Sequence, residues 1–524
     1  MQRALTVVQG WCEEEGLAVQ PEKLELILFT RKRLLTGLKL PKIYGKRLQL
    51  VKRVKYLGVY LDSRLDWAVH LETRCSKARA AFCQAKRAVG KNWGLSPKVV
   101  KWLYVVTIRP MTAFAAVVWW KRTNLECAKA QLGRLQRLAC LCITGALQTT
   151  PTAAMEVLLC LPPLHTWIQV EAMATCYRLK STKQWHRVGR GHCRVWAQLC
   201  DLSPLYQFPS DQQLPNYVFD KKYQVDFPSR EVWQGNTPNA TDTLYCYTDG
   251  SRLTGLENSG AGVFIQRLGV EDSFPLGKYA TVFQAEVYAI LNCARTPGIV
   301  DCLEQKICIC SDSQAALRAL VSPRVNSKLV AECVRELQRL ALRKKLQLMW
   351  VPGHSEVEGN DQADRLARAA AELPLIGPEP ALGISVRKVR SDLRSWAKNQ
   401  LQTVWDLRTD CRQSKQFILG PRLVVTRELL SLSRRELKLV VGWLTGHSSN
   451  LNRHLSIMGL VDDPTCSFCL EEEETPEHLV TECDALAGRR QAILGSRYLT
   501  TQDLSDVTVR DLLRLIKASG VPNR

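Results

Sequence analysis

Hydrophobic and polar positions follow patterns that change from region to region along the chain. Residues 1–200 mix short strand-like runs, such as 24–29, with longer apolar stretches at helical spacing, such as 132–143. Residues 201–242 hold several prolines and few long apolar runs, which is typical of a linker. A compact segment of alternating short strands and helices then follows over 243–371.

The last third of the chain changes character again. Prolines return after residue 371, and charge-laced helical sequence makes 372–440 a helical connector. A short Cys/His region follows over 441–500, and 501–524 is a polar tail. Because 524 residues are too many for one hydrophobic core, we predict a multidomain α/β protein. We interpret the apolar run 102–120 as buried helix and not as a membrane span, because Arg109-Pro110 interrupts it.

The positive charge is concentrated in the first half of the chain. Residues 1–240 hold 36 Lys and Arg against 16 Asp and Glu, an excess of 20, whereas residues 241–524 hold 36 against 34. A surface that neutralises phosphates gains affinity by releasing counterions, so the first half is the expected grip on nucleic acid. A basic surface that only keeps the protein soluble is the alternative. The 20 cysteines show no repeating spacing, which favours a reducing intracellular environment, nucleus or cytoplasm.

Two acidic residues follow predicted strands directly. Asp249 comes after the β-like run Leu244–Thr248, and Gly250 then turns the chain. Asp312 ends another β-branched run, Ile307–Cys310. If these two strands are neighbours in one sheet, Asp249 and Asp312 lie side by side at the strand ends.

Two further acidic residues lie on predicted helices of the same segment. Glu286 is within Thr281–Leu291, where apolar residues recur at helical spacing. Asp364 is within the predicted helix Asn360–Ala371. Helices packed on the sheet would bring both carboxylates to the strand ends, so Glu286 and Asp364 complete a predicted cluster of four.

Four carboxylates held close together repel one another unless cations neutralise them, and carboxylate oxygens are ligands for hard cations. The cluster therefore predicts two bound Mg²⁺ ions, with Mn²⁺ as the alternative. Such a pair activates a water molecule and stabilises the leaving oxygen of a phosphodiester. His354 lies in the loop after the strand-like run Leu346–Val351, and its side chain titrates near neutral pH. We expect His354 to help protons or product leave.

Five motifs in this segment resemble, in their usual order, the signatures of type 1 ribonuclease H. They are Tyr247-Thr248-Asp249-Gly250-Ser251, Gln284-Ala285-Glu286, Ser311-Asp312-Ser313-Gln314-Ala315-Ala316-Leu317, Trp350-Val351-Pro352-Gly353-His354 and Gly359-Asn360-Asp361-Gln362-Ala363-Asp364-Arg365-Leu366-Ala367. The resemblance implies a mixed sheet flanked by helices and cleavage of the RNA strand of RNA–DNA hybrids. It also implies that the four carboxylates bind the metal ions and that the matching His354 assists.

The resemblance has one departure. Bacterial members carry a basic, tryptophan-bearing protrusion that grips the hybrid, whereas Val321–Gln347 is short, has scattered basic residues and contains no tryptophan. The basic first half could supply this affinity in cis, because a linked module raises effective concentration. We assign Ser251, Gln314 and Asn360 as substrate contacts, the first two near the 2′-hydroxyls that identify RNA. Ser251 and Gln314 could equally be turn and cap residues.

The first 200 residues contain a series of short motifs, which are Gly16-Leu17, Pro21-Glu22-Lys23, Phe29-Thr30, Val54-Lys55-Tyr56-Leu57-Gly58-Val59, Leu65-Asp66-Trp67, His70, Gln136-Arg137-Leu138, Thr149-Thr150-Pro151-Thr152 and Leu161-Pro162-Pro163-Leu164. In this order they resemble the end of the palm and the thumb of a LINE-type (non-LTR) reverse transcriptase. A polymerase needs paired metal-binding aspartates. The single Asp-Asp pair, Asp462-Asp463, has a different setting, so we predict no DNA synthesis by this chain.

The C-terminal region holds a Cys/His cluster. Cys466-x2-Cys469-x8-His478-x4-Cys483 has three thiols and one imidazole at spacings that permit a tetrahedral structural Zn²⁺ site. Its surroundings resemble the C-terminal zinc-binding module of the same retrotransposon polyproteins. Buried free cysteines with a helix-surface histidine are the alternative. The acidic residues 471–474 would repel phosphate, so nucleic-acid binding is not assigned to this module.

Three hypotheses on function follow. The leading one is an active hydrolase that cuts the RNA strand of RNA–DNA hybrids, because all four carboxylates and His354 are present. The alternative is a catalytically silent nucleic-acid-binding relic of a retrotransposon, in which the basic and zinc-binding regions dominate. A structural or regulatory protein that has kept only the fold is the third. We predict no membrane partner and assign no oligomeric state.

Overall fold

The structure is a computed structural model that describes residues 1–30, 37–90, 93–185, 193–233, 240–253, 255, 257–353 and 357–521. Its contacts divide the chain into two compact units. The first unit combines two distant segments, Met1–Ala172 and Ser395–Arg524. The second unit is the continuous segment between them, Met173–Arg394.

The N-terminal part of the first unit is mainly helical, with short two-stranded pairings near its start. Its strands are β1 (Glu25–Ile27), β2 (Lys42–Ile43), β3 (Lys46–Arg47), β4 (Gln49–Val51), β5 (Arg53–Tyr56) and β6 (Val59–Asp62). Its helices are α1 (Gln2–Glu14), α2 (Ala68–Lys86), α3 (Pro97–Leu103), α4 (Arg109–Thr112), α5 (Ala116–Trp119), α6 (Glu126–Thr144) and α7 (Thr152–Leu158). Helix α8 (Leu164–Ser181) follows.

The second unit contains a large sheet and the helices packed on it. Its strands are β7 (Gln212–Tyr217), β8 (Gln224–Asp226), β9 (Thr243–Arg252), β10 (Ser259–Ile265), β11 (Val270–Gly277), β12 (Lys306–Ser311), β13 (Arg324–Ser327) and β14 (Lys345–Trp350). Its helices are α9 (Cys193–Leu202), α10 (Val282–Arg295), α11 (Gln314–Val321), α12 (Lys328–Ala341) and α13 (Glu358–Glu372), and α14 (Val386–Leu407) begins within it.

The large sheet has six strands in the order β11-β10-β9-β12-β14-β8. The first three strands are antiparallel neighbours, whereas β9, β12, β14 and β8 run parallel to one another. Ser311 of β12 lies opposite Thr248 of β9 and Trp350 of β14. The residues that follow these strands therefore emerge at one edge, which we call the carboxyl edge of the sheet.

Helices cover both faces of this sheet. On one face the main core includes Leu244, Ile290, Ile309 and Leu337, and α10 packs on β9 and β10. On the other face α13 packs across β9, β10 and β11, near a smaller cluster that includes Tyr247. Apolar residues on both faces of central strands are typical of a parallel sheet covered by helices. The predicted fold class, a mixed sheet flanked by helices with helical regions elsewhere, is confirmed.

The C-terminal part of the first unit is a set of short helices. They are α15 (Arg412–Phe417), α16 (Leu423–Ser431), α17 (Arg434–Thr445), α18 (Asn452–Ile457), α19 (Pro476–Thr481), α20 (Ala487–Leu494) and α21 (Val509–Ser519). Helix α17 begins with a capping box between Ser433 and Glu436 and ends at Gly446, whose positive φ suits glycine. Such end signals define the helix bounds locally.

One hydrophobic core joins the two segments of the first unit. Val157 and Leu158 of α7 pack in the same cluster as Leu437, Trp443 and Leu515. Arg434 is 9% exposed and donates hydrogen bonds to the carbonyl oxygens of Leu95 (2.7 Å) and Cys142 (3.2 Å). The N- and C-terminal segments therefore fold as one body of packed helices.

Two segments that the sequence predicts as a linker and a tail contain regular structure. Within 201–242, β7 pairs with β13 and β8 pairs with β14. Within 501–524, α21 buries Leu512, Leu515 and Ile516. The strands within 201–242 depend on distant pairing partners, whereas α21 has apolar residues at helical spacing and a Thr508 cap that the prediction of a polar tail overlooked.

Among the described residues, no single helix has both the length and the hydropathy of a membrane span. The bent pair of helical segments Pro97–Thr112 and Ala116–Asn124 reaches this length and hydropathy only when the two are taken together.

Candidate functional site

Asp249 and Asp312 are neighbours near the carboxyl edge of the sheet. Asp312 directly follows β12, whereas Asp249 lies inside β9. The predicted turn at Gly250 is wrong, because β9 continues to Arg252 in antiparallel pairing with β10. Ser313 caps α11 by accepting a hydrogen bond from the backbone N–H of Ala316 (3.4 Å), so the chain turns from strand to helix at Asp312. The parallel pairing of β9 and β12 fixes the two carboxylates as neighbours.

Glu286 reaches this edge from helix α10. The helix starts with a capping box between Thr281 and Gln284, which fixes where its first turn begins. A Cβ atom at Gly250 would lie 2.4 Å from the backbone nitrogen of Glu286, so glycine allows helix and strand to approach this closely. The sequence alone did not reveal this role of Gly250.

Carboxylate oxygens of Asp249, Glu286 and Asp312 lie within 4.8 Å of one another. Asp249 and Glu286 are each 5% exposed. Oε2 of Glu286 is buried and has no hydrogen-bond partner among the residues that the structure describes. A buried oxygen without a partner beside two other carboxylates fits a divalent cation as its missing neighbour.

Burial and mutual repulsion disfavour the charged carboxylates. Burial, followed by the charges of Asp312 and Asp364, raises the pKa of Asp249 from its ordinary 3.8 to about 8. Burial and the charges of Asp249 and Asp312 raise the pKa of Glu286 well above its ordinary value. Cations would relieve this repulsion, so the electrostatics fit the predicted magnesium ions.

Asp364 lies beside Asp249 but outside the group of three. Asp364 lies on α13, which packs closely against β10 at Gly262. A Cβ atom at Gly262 would lie 2.4 Å from the carbonyl oxygen of Ala363, so glycine allows this close approach. The carboxylate of Asp364 pairs with Arg368 at 2.8 Å, one turn along the helix. Its charge and a hydrogen bond to Asp249 are among the causes of the raised pKa of Asp249.

The remaining predicted residues of this segment have different settings. His354 lies outside the described residues. Ser251 is half-buried in β9, and Gln314 is exposed at the start of α11. Asn360 is 2% exposed in α13, and its Oδ1 has no partner among described residues.

The Cys/His cluster forms a second group of ligand atoms, in the first unit. Atoms of Cys466, Cys469, His478 and Cys483 all lie within 4.8 Å of one another. Sγ of Cys466 is 3.9 Å from Sγ of Cys483, and Sγ of Cys469 is 3.3 Å from Nε2 of His478. Three thiols and an imidazole at these distances fit tetrahedral Zn²⁺.

Local hydrogen bonds shape this Cys/His group. The buried carboxylate of Glu474 accepts hydrogen bonds from the backbone N–H groups of Asn452 (3.1 Å) and Ser467 (2.8 Å). Thr475 caps α19 by accepting from the backbone N–H of His478 (3.0 Å). Glu474, which the sequence indicated only as part of an acidic loop, thus holds the turn between the first two cysteines.

The segment that carries the carboxylate group matches a known protein family. Residues 241–372 match the family model described as RNase H. These residues form a ribonuclease H domain. The match contains all four carboxylates and the five motifs, and it begins and ends close to the predicted bounds 243–371. The ribonuclease H family cleaves RNA–DNA hybrids.

Relatives of the chain come from insect retrotransposons. The chain is 25% identical over 176 residues to a putative 115 kDa protein in type-1 retrotransposable element R1DM of Drosophila melanogaster, covering 34% of this chain and 17% of the relative. It is 27% identical over 119 residues to a retrovirus-related Pol polyprotein from element R1 3 of Nasonia vitripennis, covering 22% and 31%.

A third relative is a retrovirus-related Pol polyprotein from element R1 of Nasonia vitripennis. It is 21% identical over 187 residues, covering 35% of this chain and 54% of the relative. The chain thus spans about half or less of the length of these relatives. The predicted resemblance to a LINE-type retrotransposon polyprotein that carries a ribonuclease H domain is confirmed.

Proposed function

We propose that this chain cleaves the RNA strand of RNA–DNA hybrids endonucleolytically at Asp249, Glu286, Asp312 and Asp364. The observation that carries the proposal is the group of three carboxylates within 4.8 Å, two of them buried, inside the segment that matches ribonuclease H. Carboxylates crowded this closely are better suited to holding hard cations than to supporting the fold.

The four carboxylates stand in different relations to one another. The charges of Asp312 and Asp364 both act on Asp249, and the charge of Asp249 acts on Glu286, while only Asp249, Glu286 and Asp312 form the group within 4.8 Å. Asp249, Glu286 and Asp312, with Asp364 beside them, would hold the magnesium ions. When bound, two such ions supply an activated water and charge for the leaving oxygen. Manganese would fit the same oxygens.

The residues around the carboxylates would hold the substrate. Asn360 offers a buried side chain beside the cluster on α13, and Ser251 and Gln314 lie on β9 and α11. We propose these three as contacts to the hybrid, and His354 as the group that carries protons away at near-neutral pH. The basic excess of residues 1–240 would add attraction for the phosphate backbone.

We also propose that Cys466, Cys469, His478 and Cys483 bind one structural Zn²⁺. Short helices around these residues share the core of the first unit through Leu479, Val480 and Leu486. A metal at this point would fix the loop and α19 against that core, as metals do where little apolar surface is available.

Hydrolysis of an end-labelled hybrid tests the nuclease proposal. The full chain with Mg²⁺ should cut the RNA strand and leave the DNA strand intact, and Asp312→Asn should lower kcat by about a thousand-fold or more. The matched control is Asp301→Asn, because Asp301 is an exposed carboxylate in the turn before β12 begins, at the edge of the sheet opposite the carboxyl edge. Hybrid binding without cleavage at any metal concentration would support the silent relic instead.

A further inference from the structure

Strand β8 extends the sheet at the side away from β10 and β11. It pairs in parallel with β14, with Met349 opposite Asp226, and it precedes the segment 241–372 that matches the family. Phe227 comes directly after Asp226 and is 41% exposed. Because Trp350 follows Met349, Phe227 lies level with Trp350 at the carboxyl edge that also carries Asp312.

Arg318 lies over the ring of Phe227. Its guanidinium carbon is 5.8 Å from the ring centroid, and its Nη2 donates to Oε1 of Gln314 at 3.2 Å. Gln314 and Arg318 are one turn apart on α11, and both are exposed. An aromatic face and a side-chain amide thus orient an exposed guanidinium, a group that recognises phosphate with several donors.

The position of Phe227 relative to Asp312 follows from the strand order. Asp312 follows β12, and the next two strands across the sheet are β14 and then β8. Neighbouring strands lie about 4.8 Å apart, so two spacings place Phe227 roughly 10 Å from the carboxylates along the edge. A nucleic-acid strand that follows this edge would therefore pass Phe227 within a few nucleotides of the carboxylates.

We propose that Arg318, positioned by Phe227 and Gln314, contacts a backbone phosphate of the hybrid within a few nucleotides of the scissile bond. The inference rests on the proposed function. The contact would help to grip the hybrid, a role that the short segment Val321–Gln347 with its scattered basic residues is not expected to fill. Strand β8 would contribute to this grip through Phe227. Phe227 is then a positioning residue that acts through Arg318.

The test uses the full chain and duplexes in which a short ribonucleotide block fixes the cleavage position. On a long duplex, Arg318→Ala should raise KM about ten-fold with kcat unchanged, and its binding should lose about one unit of salt slope. Phe227→Ala should raise KM by a smaller factor, and Phe227→Trp should restore it because the aromatic face remains. Two further duplexes are each shortened to two base pairs beyond the block, one on the 5′ side and the other on the 3′ side. The KM difference between wild type and Arg318→Ala should disappear on only one of them, the duplex that lacks the contacted phosphate.

Two control variants lie away from the carboxyl edge. Arg343 is exposed just before β14 begins, at the opposite edge of the sheet, and Phe219 is 81% exposed before β8. Arg343→Ala and Phe219→Ala should behave as wild type. A wild-type chain that cuts no hybrid overturns the proposed function. Unchanged KM, unchanged hybrid Kd and unchanged salt slope in Arg318→Ala overturn this inference, whether or not the wild type cleaves.

Discussion

The two units of this chain build their candidate metal sites in opposite ways. In the second unit, Asp249, Glu286 and Asp312 offer hard oxygen atoms, and burial followed by mutual repulsion raises the pKa of Asp249 and Glu286. In the first unit, three cysteines and His478 are soft ligands within a core shared by two distant segments. The carboxylate site costs stability until cations bind, whereas a zinc site would contribute stability to a body of short helices.

The largest effect is expected at the Cys/His group. Cys483→Ser should abolish zinc binding and lower the free energy of unfolding of the first unit by on the order of 10 kcal/mol, because a structural metal stabilises the fold it clips together. Zinc content by elemental analysis and differential scanning calorimetry would measure both effects. Cys127→Ser is the matched control, since Cys127 is exposed in the same unit. Equal zinc content in Cys483→Ser and wild type would refute the site.

A smaller effect of opposite sign is expected at the carboxylates. The folded-state pKa of Asp249, about 8, lies above its ordinary 3.8, so the folded chain binds more protons between these values. Stability without metal should therefore fall as pH rises from about 4 to about 8, and Mg²⁺ should restore it. Asp249→Asn should stabilise the metal-free chain at pH 8 by on the order of 3 kcal/mol.

Calorimetry in a chelator at pH 4 and pH 8 checks this prediction. The stabilising effect of Asp249→Asn should vanish near pH 4, where the carboxyl group is protonated in the folded chain. Asp272→Asn should have no effect at either pH, because Asp272 is exposed. A variant that is less stable than wild type at pH 8 would show that Asp249 supports the metal-free fold.

The smallest effect tests the shared core of the first unit. Arg434→Met removes the donors that bind the carbonyl oxygens of Leu95 and Cys142, and leaving these groups unpaired should cost about 2 kcal/mol. Arg435→Met is the matched control, because Arg435 is exposed next to it. The calorimetric unfolding temperature of the first unit should fall in Arg434→Met and stay unchanged in Arg435→Met. Identical transitions would argue against the pairing of α17 with the N-terminal segment.

The two sites were predictable from sequence to different depths. Asp249 and Asp312 each follow a short run with a clear strand pattern, and parallel pairing of the two strands then makes them neighbours. The Cys/His group closes within 18 residues, from Cys466 to Cys483, so its spacing alone predicts which four side chains could share a metal. In both cases short-range signals fix which residues meet.

Longer-range features escaped prediction for a physical reason. Strand β8 has three residues and lies in a proline-rich segment, so its place beside β14 depends on side-chain packing far along the chain. The joining of 1–172 with 395–524 likewise depends on contacts such as Thr426 with the carbonyl oxygen of Leu158 (2.8 Å). Neither pattern is periodic, so neither could be predicted from one sequence.

Manganese anomalous scattering from crystals of the full chain tests the central claim most directly. Mn²⁺ prefers oxygen ligands and can stand in for Mg²⁺ at such a site. The account predicts anomalous peaks in contact with Asp249, Glu286 and Asp312, with Asp364 beside them. Crystals grown at pH 8 with saturating Mn²⁺ that show no peak at these carboxylates would contradict it.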